Sequence, residues 1–378
     1  MQDKLNFLGG LGSFEVSDYI YQKERFTSFI YPSVYKNRVV KLFKVLLSNN
    51  CKFNCFYCAN RRDRDCPRYS FNVKELAEIF YSMWKKGIVS GLFLSSGIDR
   101  DNNETQEKMI EVAHILRKKY QYPDYIHLKI LPGVDEYLLR KSALYADRLS
   151  LNMESVNSEY MRNIAKEKDF SKNLLWTLKK LLDLNKEHPL KDGITTQIIV
   201  GCSEEKDKEI LGFSYSLYKN YNLSRVYYSG FIPVLKTPLE NKKPCSLKRQ
   251  VRLYQADILI RKYNFLPSEI PFDKRGNLYL NKDPKILWAE KNRDFFPLEI
   301  NKCDFYQLIR IPGIGIKTAK KILEVRKEGK IKSEITLIKA GVKLKKALPY
   351  ILINGKKIKE KQEGQTNEVD HTIFDEMI

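Results

Sequence analysis

The stretch Cys51-Lys-Phe-Asn-Cys55-Phe-Tyr-Cys58 places three thiols within eight residues. Thiolates are soft ligands, and three at this spacing can serve one metal centre. Zinc sites usually take four protein ligands, as two Cys-x-x-Cys pairs or Cys with His, and the nearest His here is His114. Three thiolates instead suffice for three irons of a 4Fe-4S cluster, leaving the fourth iron open to a substrate or cofactor. Seven cysteines in all, an odd number, make a poor disulfide framework, and Cys66, Cys202, Cys245 and Cys303 read as reduced, packed residues.

Ligands on a loop need a scaffold, and the surrounding pattern supplies one. From about residue 39, short apolar runs alternate with amphipathic stretches, as expected of strand and helix units with parallel strands. The strand candidates are residues 39–47, 91–95, 125–131, 148–153, 195–200 and 225–228. Between the first two, Val73, Leu76, Ala77, Phe80 and Trp84 recur at helical spacing, and further helices are expected over 104–119, 134–145, 158–184, 206–221 and 246–263. Six such units suit an α/β fold, a partial (β/α)6 barrel whose chemistry gathers where strands run into their C-terminal loops. The three cysteines follow the first strand.

The remaining organisation is read from composition. Residues 1–38 form an N-terminal extension, 39–263 the barrel, and 264–301, rich in Pro, Asp and aromatics, a connecting segment. Residues 302–361 hold 17 Lys and Arg against 5 Asp and Glu, a net +12 of the +21 carried by all 378 residues. Such an excess points to a polyanionic partner rather than a neutral metabolite. Residues 362–378, with five acids and no Lys or Arg, read as a disordered acidic tail. No apolar run is long enough to span a bilayer, and the opening Met1-Gln2-Asp3-Lys4 lacks the signal-peptide pattern, so a cytoplasmic protein is expected.

The Cys-x3-Cys-x2-Cys spacing, with an aromatic directly before the last Cys, resembles the signature of the radical S-adenosylmethionine (SAM) superfamily. That resemblance implies a 4Fe-4S cluster whose open iron is chelated by the methionine portion of SAM. One electron then cleaves the sulfonium to methionine and a 5′-deoxyadenosyl radical, which abstracts hydrogen from the substrate. It also implies an electron donor such as flavodoxin or ferredoxin. Cys51, Cys55 and Cys58 are the implied cluster ligands and catalytic residues. Ser95-Ser96-Gly97 stands where the superfamily commonly has Gly-Gly-Glu, whose backbone carbonyls meet the SAM amino group. Asn152 and Glu154 fall where ribose hydroxyls would lie, Gln197 and Gly201 near the adenine edge, and Tyr57 beside the adenine. Tyr227, Tyr228 and Ser229 end the sixth strand and face the expected substrate space. Arg61, Arg62, Arg64 and Arg68 follow the cysteines, either to hold phosphates or as a solvated loop.

The stretch Leu308-Ile-Arg-Ile-Pro312-Gly313-Ile314-Gly315-Ile-Lys-Thr-Ala319-Lys-Lys-Ile322 resembles the helix-hairpin-helix motif. Its glycines allow a tight turn, backbone N–H groups at the start of the second helix suit a phosphate, and Lys317, Lys320 and Lys321 add charge. Leu308, Ile311, Ile314, Ala319 and Ile322 would pack the two helices into a small C-terminal all-α domain. A unit of this kind grips the backbone without reading bases, and mostly binds DNA. A second turn at Lys339-Ala-Gly341-Val-Lys343 is a candidate for another hairpin. Glycosylases with this motif carry a catalytic Asp beyond the hairpin, and residues 316–361 contain no Asp.

Over nearly its whole length the chain is similar to the DNA modification or repair family of radical SAM proteins, further stretches being Arg225–Val234, Arg252–Asp257, Asp283–Lys285 with Trp288, and Phe296–Asn301. The implied function is modification or repair of nucleic acid, DNA first. An RNA-modifying enzyme and an iron-sulfur DNA-binding protein without SAM chemistry are the alternatives. A bulky residue at Gly97 is expected to weaken SAM binding and leave the cluster's absorbance intact. After anaerobic reconstitution the protein should bind one 4Fe-4S cluster and, with a strong reductant, release 5′-deoxyadenosine from SAM. Alanine at Cys51, Cys55 or Cys58 should abolish cluster absorbance and cleavage together, and normal cleavage in any of the three would overturn the ligand assignment.

Overall fold

Every expected strand forms, and the strands pair in chain order. The computed structural model describes residues 2–14, 29–35 and 38–358. Its main sheet runs β1 (Ile30–Tyr35), β2 (Arg38–Leu46), β3 (Gly91–Ser95), β4 (Tyr125–Lys129), β5 (Arg148–Ser150), β6 (Ile194–Val200) and β7 (Arg225–Gly230). β2 to β7 are parallel, each bonded to the next, while β1 lies antiparallel on β2. Parallel neighbours in chain order need right-handed crossovers, which put the connecting helices on one side. The result is a curled half-barrel, α/β in class, as the alternation of patterns implies.

The helices are α1 (Gln2–Leu11), α2 (Val73–Lys85), α3 (Asn102–His114), α4 (Glu136–Tyr145), α5 (Ser158–Ile164), α6 (Trp176–Glu187), α7 (Asp207–Tyr221) and α8 (Leu247–Lys262). Helix α2 shows why they start where they do. The Asn72 side chain accepts from Lys74 N and the Glu75 carboxylate accepts from Asn72 N, a reciprocal cap that satisfies orphan donors. Its Leu76, Ala77 and Phe80 are fully buried, Phe80 between the rings of Phe43 and Tyr122.

One helix expectation needs correction. The stretch 158–184 is not one helix: Asn157 caps α5, and the Asp169 side chain accepts from Ser171 N and Lys172 N to start a new π-helical turn at Phe170–Leu175 before α6. Two caps of the kind that start helices thus lie twelve residues apart, and the chain between α5 and Asp169 is free to leave the helical path. The N-terminal extension also contributes structure. In α1, Leu5 and Leu8 are buried, Lys4 pairs with Glu75 at 2.7 Å, and the Tyr31 hydroxyl donates to Gly9 O at 3.1 Å. β1 tolerates Pro32 because it is an edge strand.

The described residues form two compact units, one from those up to Glu205 together with Ser216–Gln250, the other from Lys206–Tyr215 and those from Val251 onward. The second contains α9 (Pro284–Lys291), α10 (Phe305–Arg310), α11 (Ile316–Glu328), α12 (Glu334–Lys339) and α13 (Leu344–Ala347). It is not purely helical, since β8 (Leu298–Glu299) and β9 (Ile351–Leu352) pair in parallel; strands of two residues are too short to leave a periodic signature. Leu308, Ile311, Ile314, Ala319 and Ile322 are each at most 1% exposed and join α10 to α11. Arg310 stacks 3.8 Å from the Phe265 ring centroid and pairs with Glu269, fixing the end of α10. The acidic stretch 362–378 lies outside the described residues. Among the described residues no helix is long and apolar enough to cross a membrane.

Candidate functional site

The loop after β2 carries the three cysteines and has almost no regular structure, so its shape comes from bonds to its neighbours. Leu47 N donates to Ser95 O, Gly97 N to Ser48 O, Lys52 N to Ile98 O and Phe56 N to Ile164 O, at 2.6–2.8 Å. Within the loop, the Arg68 guanidinium donates to five carbonyls: Asn49 and Asn60 from Nη1, and Arg61, Arg62 and Arg64 from Nη2, at 2.6–3.3 Å. Arg62 bonds Lys52 O and pairs with Asp63 and Glu167, while Arg64 bonds Ala59 O and Leu235 O. Arg62, Arg64 and Arg68 therefore brace the loop, and their donors are engaged by protein oxygens rather than held out for phosphates.

Gly97 has a packing task besides the contact expected of it. A Cβ there would overlap Asn50 O and lie 3.1 Å from the Asn50 carbonyl carbon, directly before Cys51. The close approach of β3's exit to the cysteine loop thus requires a glycine.

These elements wall a cavity of about 450 Å³, within the range of small-molecule sites. It is lined by Cys51, Cys55 and Cys58, and by Tyr57, Ser95, Ser96, Gly97, Asn152, Glu154, Gln197 and Ser229. Eleven residues singled out from sequence are thereby brought together. Three are not among the lining residues. Gly201 turns the chain at φ +83° beneath Cys245, and Tyr227 and Tyr228 are 2% and 0% exposed, with Tyr227 OH 3.4 Å from an Arg148 Nη1. In the second unit, Gly313 has φ +82°, Gly315 caps α11, and Lys317, Lys320 and Lys321 are exposed, although Lys321 Nζ also donates to Lys339 O at 2.9 Å.

The cavity also holds residues the sequence did not single out. Lys168, delivered by the break after α5, lies 4.0 Å from Glu154 Oε1 and donates to Tyr57 OH at 3.2 Å. Leu11, Ser13 and Phe14 come from the N-terminal segment, and Phe14 O accepts from Gln197 Nε2 at 3.2 Å. Cys245, Lys44 and Lys129 line it as well. Lysines were hard to distinguish among 67 Lys and Arg, although a Lys in the apolar run of β2 was a usable signal.

Electrostatics in the site follow burial. Burial pushes the Cys55 thiol up from its ordinary value, and the Lys168 ammonium opposes it; Cys58 is raised by burial and by charge on Cys55. For Lys168, burial favours the neutral amine, but charge at Cys55, Glu154 and the other thiols outweighs it and holds the group above the usual lysine value. Tyr57 is raised well above the phenol range by burial and by Glu154. Glu154 itself is 7% exposed and adopts φ +59°, a left-handed conformation uncommon for a non-glycine residue.

These residues fit an iron-sulfur cluster. No cysteine is in a disulfide, three soft donors share one wall, and a cation stands among them to offset thiolate charge.

Because five of the loop's carbonyls converge on one guanidinium, Arg68→Ala should destabilise it by about 3 kcal/mol and lower the cluster content of reconstituted protein. Arg68→Lys should not rescue, since one ammonium cannot reach five carbonyls. Gly97→Val should lose cluster absorbance as well as SAM affinity. A variant with normal cluster content and weakened SAM binding would return Gly97 to a role in SAM contact alone.

Residues 45–213 match the family model described as Radical SAM superfamily. Solved structures of similar fold include the [FeFe]-hydrogenase maturase HydG, 13% identical with a TM-score of 0.48, covering 57% of this chain and 48% of that one. Methylornithine synthase (PylB) is 19% identical with a TM-score of 0.47, covering 57% and 60%. Coproporphyrinogen III oxidase (HemN) from Escherichia coli is 16% identical with a TM-score of 0.38, covering 56% and 50%. The chain thus spans between about half and three-fifths of these proteins' lengths. Among curated proteins no sequence match is found. Residues 45–213 are thus similar to the radical SAM superfamily, whose cofactors are a 4Fe-4S cluster and SAM.

Proposed function

We propose that the protein is a radical SAM enzyme that modifies or repairs nucleic acid, with DNA as its first candidate substrate. Cys51, Cys55 and Cys58 would hold the cluster, and the Ser95–Gly97 edge with Asn152, Glu154 and Gln197 would hold SAM. When bound, these cofactors supply the electron and the organic radical. The chain's own work is to fix the thiols through Arg68, to set a positive charge beside them with Lys168, and to limit water with Leu46, Leu131 and Phe231 on the cavity wall. A base acted on beside an enclosed site of this kind would have to be extruded or unpaired, since its reacting atom is out of reach within a stack.

The observation that carries the nucleic-acid reading is the turn between α10 and α11 together with the net +12 of residues 302–361. The features that support reading it as a helix-hairpin-helix are two helices packed through five buried residues, a left-handed Gly313, and a helix start at Gly315 whose first N–H groups have no intrahelical partner. Lys317 and Lys320 flank those donors in solvent. The pair α12 and α13, with Gly341 at φ +93°, repeats the arrangement.

Phosphate neutralisation releases counterions, so affinity for duplex DNA should fall with salt at a log-log slope of about −0.9 per phosphate contacted. Lys317→Ala, Lys320→Ala and Lys321→Ala combined should weaken binding and flatten that slope. Matched DNA and RNA duplexes are to be titrated side by side, because groove shape separates them. Preference for RNA would replace DNA as the substrate, and binding insensitive to salt would sink the hairpin's role.

A further inference from the structure

The mouth of the cavity is apolar and basic at once. Ile232 and Leu247 line the cavity, yet they are 63% and 50% exposed, so they stand at its opening rather than inside it. Leu235, three residues beyond Ile232, is 76% exposed. Single exposed apolar side chains are ordinary on a protein surface, but here three come from one stretch between β7 and the start of α8. The same stretch, residues 231–250, holds Lys236, Lys242, Lys243, Lys248 and Arg249 against Glu240 as its one acid, a net +4. Lys243 and Lys248 are exposed, while Lys236 and Lys242 pair with Asp65 and Glu204 in solvent, where such pairs are weak.

The stretch is held in shape. Cys245 N donates to Phe231 O at 2.8 Å, which closes its ends in the manner of an Ω-loop. Inside it, Thr237 Oγ1 donates to Val234 O at 2.7 Å, Lys236 N to Glu240 Oε2 at 2.7 Å, and Glu240 N to Thr237 O at 3.1 Å. Arg64 of the cysteine loop donates to Leu235 O at 2.9 Å and so ties the two loops together. Burying a Leu or Ile side chain gains about 1.5–3 kcal/mol, a gain that this braced loop forgoes at Ile232 and Leu235. Apolar side chains fixed in water by so many bonds are preorganised for a partner, since little ordering is left to be done on binding.

We propose that this loop is the contact surface for unpaired nucleotides on either side of the one presented to the cavity, with Ile232, Leu235 and Leu247 against bases and Lys243 and Lys248 against phosphates. The proposal rests on the nucleic-acid reading above and adds the state of the strand, which is unpaired rather than fully duplex. Leu and Ile are side chains that wedge between base steps, and every base has an apolar face, so such contact is tolerant of sequence. The cations suit the backbone of the same strand. An acidic reductant protein would match the charge, but it has no need to meet the cavity's opening. A strand that delivers its nucleotide to the cavity must cross it.

The test compares binding of the reconstituted full-length protein to DNA probes of one sequence: a fully paired duplex, the same duplex with a central unpaired bubble, and the single strand. The unpaired probes should bind about tenfold more tightly than the duplex, the worth of one stacked base. Ile232→Ser combined with Leu235→Ser should remove that preference and leave the salt slope on the paired duplex unchanged. Lys243→Ala combined with Lys248→Ala should weaken binding of the bubble and flatten its salt slope. Equal affinity of the unaltered protein for paired and unpaired probes overturns the proposal without any variant. A double serine variant that keeps the preference also overturns it. If that variant instead slows reduction of the cluster by flavodoxin but not by dithionite, the surface belongs to the electron donor; if it dissolves a dimer seen by light scattering, the surface belongs to a second copy. Absence of binding to every probe removes the nucleic-acid reading and this proposal with it, whereas binding without preference removes this proposal alone.

Discussion

The active face depends on one guanidinium. Twenty-six residues separate β2 from α2, and ordering each costs roughly 1–2 kcal/mol of backbone entropy. Helix and sheet ladders normally offset that cost, but this loop lacks them. Arg68 offers a rigid planar fork, and its bonds to five carbonyls between Asn49 and Arg64 draw both ends of the loop onto one point. The buried Asn49 does similar work, donating to Pro67 O and accepting from Tyr69 N. Backbone bonds to Ser95, Ile98 and Ile164 then tie the braced loop to the exits of β3 and α5. The cysteines thereby inherit their positions from the sheet although they are not part of it.

The break between α5 and α6 joins the same system. Had the chain continued as helix, Ile164 O would have been spent on an intrahelical bond. Instead it accepts from Phe56 N, and the released residues carry Lys168 to the thiols. One irregularity thus supplies both a tether for the loop and a counter-charge for its thiolates. The left-handed Glu154 belongs here too, because its N–H and C=O bond Gln197 O and Ile199 N across to β6, fixing the carboxylate that faces Lys168. Backbone strain at that residue is sustained by sheet pairing on both of its peptide groups.

What was legible in the sequence was what short-range pattern controls. Each parallel strand is an apolar run bounded by polar residues, and β3 could be read to the residue because Gly91 and Ser95 mark its ends. The three cysteines were legible because their spacing alone is informative. Residues whose importance comes from convergence were not. Arg68 stands among four arginines of similar context, and only the folded loop shows which of them reaches five carbonyls. Tyr227 and Tyr228 end an apolar strand, a place from which the pattern alone turns them toward substrate, yet both are buried in the protein, while Ser229 alone of the three lines the cavity. The contribution of Leu11 and Phe14 was hidden for another reason: they lie far from the barrel in sequence and carry no pattern that would bring them to β6.

The second unit shows how a repeated shape can divide its labour. A Cβ on Gly313 would lie 2.6 Å from Lys343 O, and Lys343 N donates to Gly313 O at 3.0 Å, so the two glycine turns lean on each other. Thr318 completes the contact by donating to Gly341 O. In the α12–α13 turn, the N–H groups of Gly341, Val342 and Lys343 are given to Ile338 O, Leu337 O and Gly313 O. That turn has spent its donors on the protein, and α13, with four residues, has little dipole to offer an anion. By contrast α11 runs for thirteen residues from its cap at Gly315, so its first turn keeps both N–H groups and dipole. On the nucleic-acid reading, therefore, the α10–α11 turn meets the phosphate and the α12–α13 turn is the brace that keeps Gly313 in its left-handed conformation.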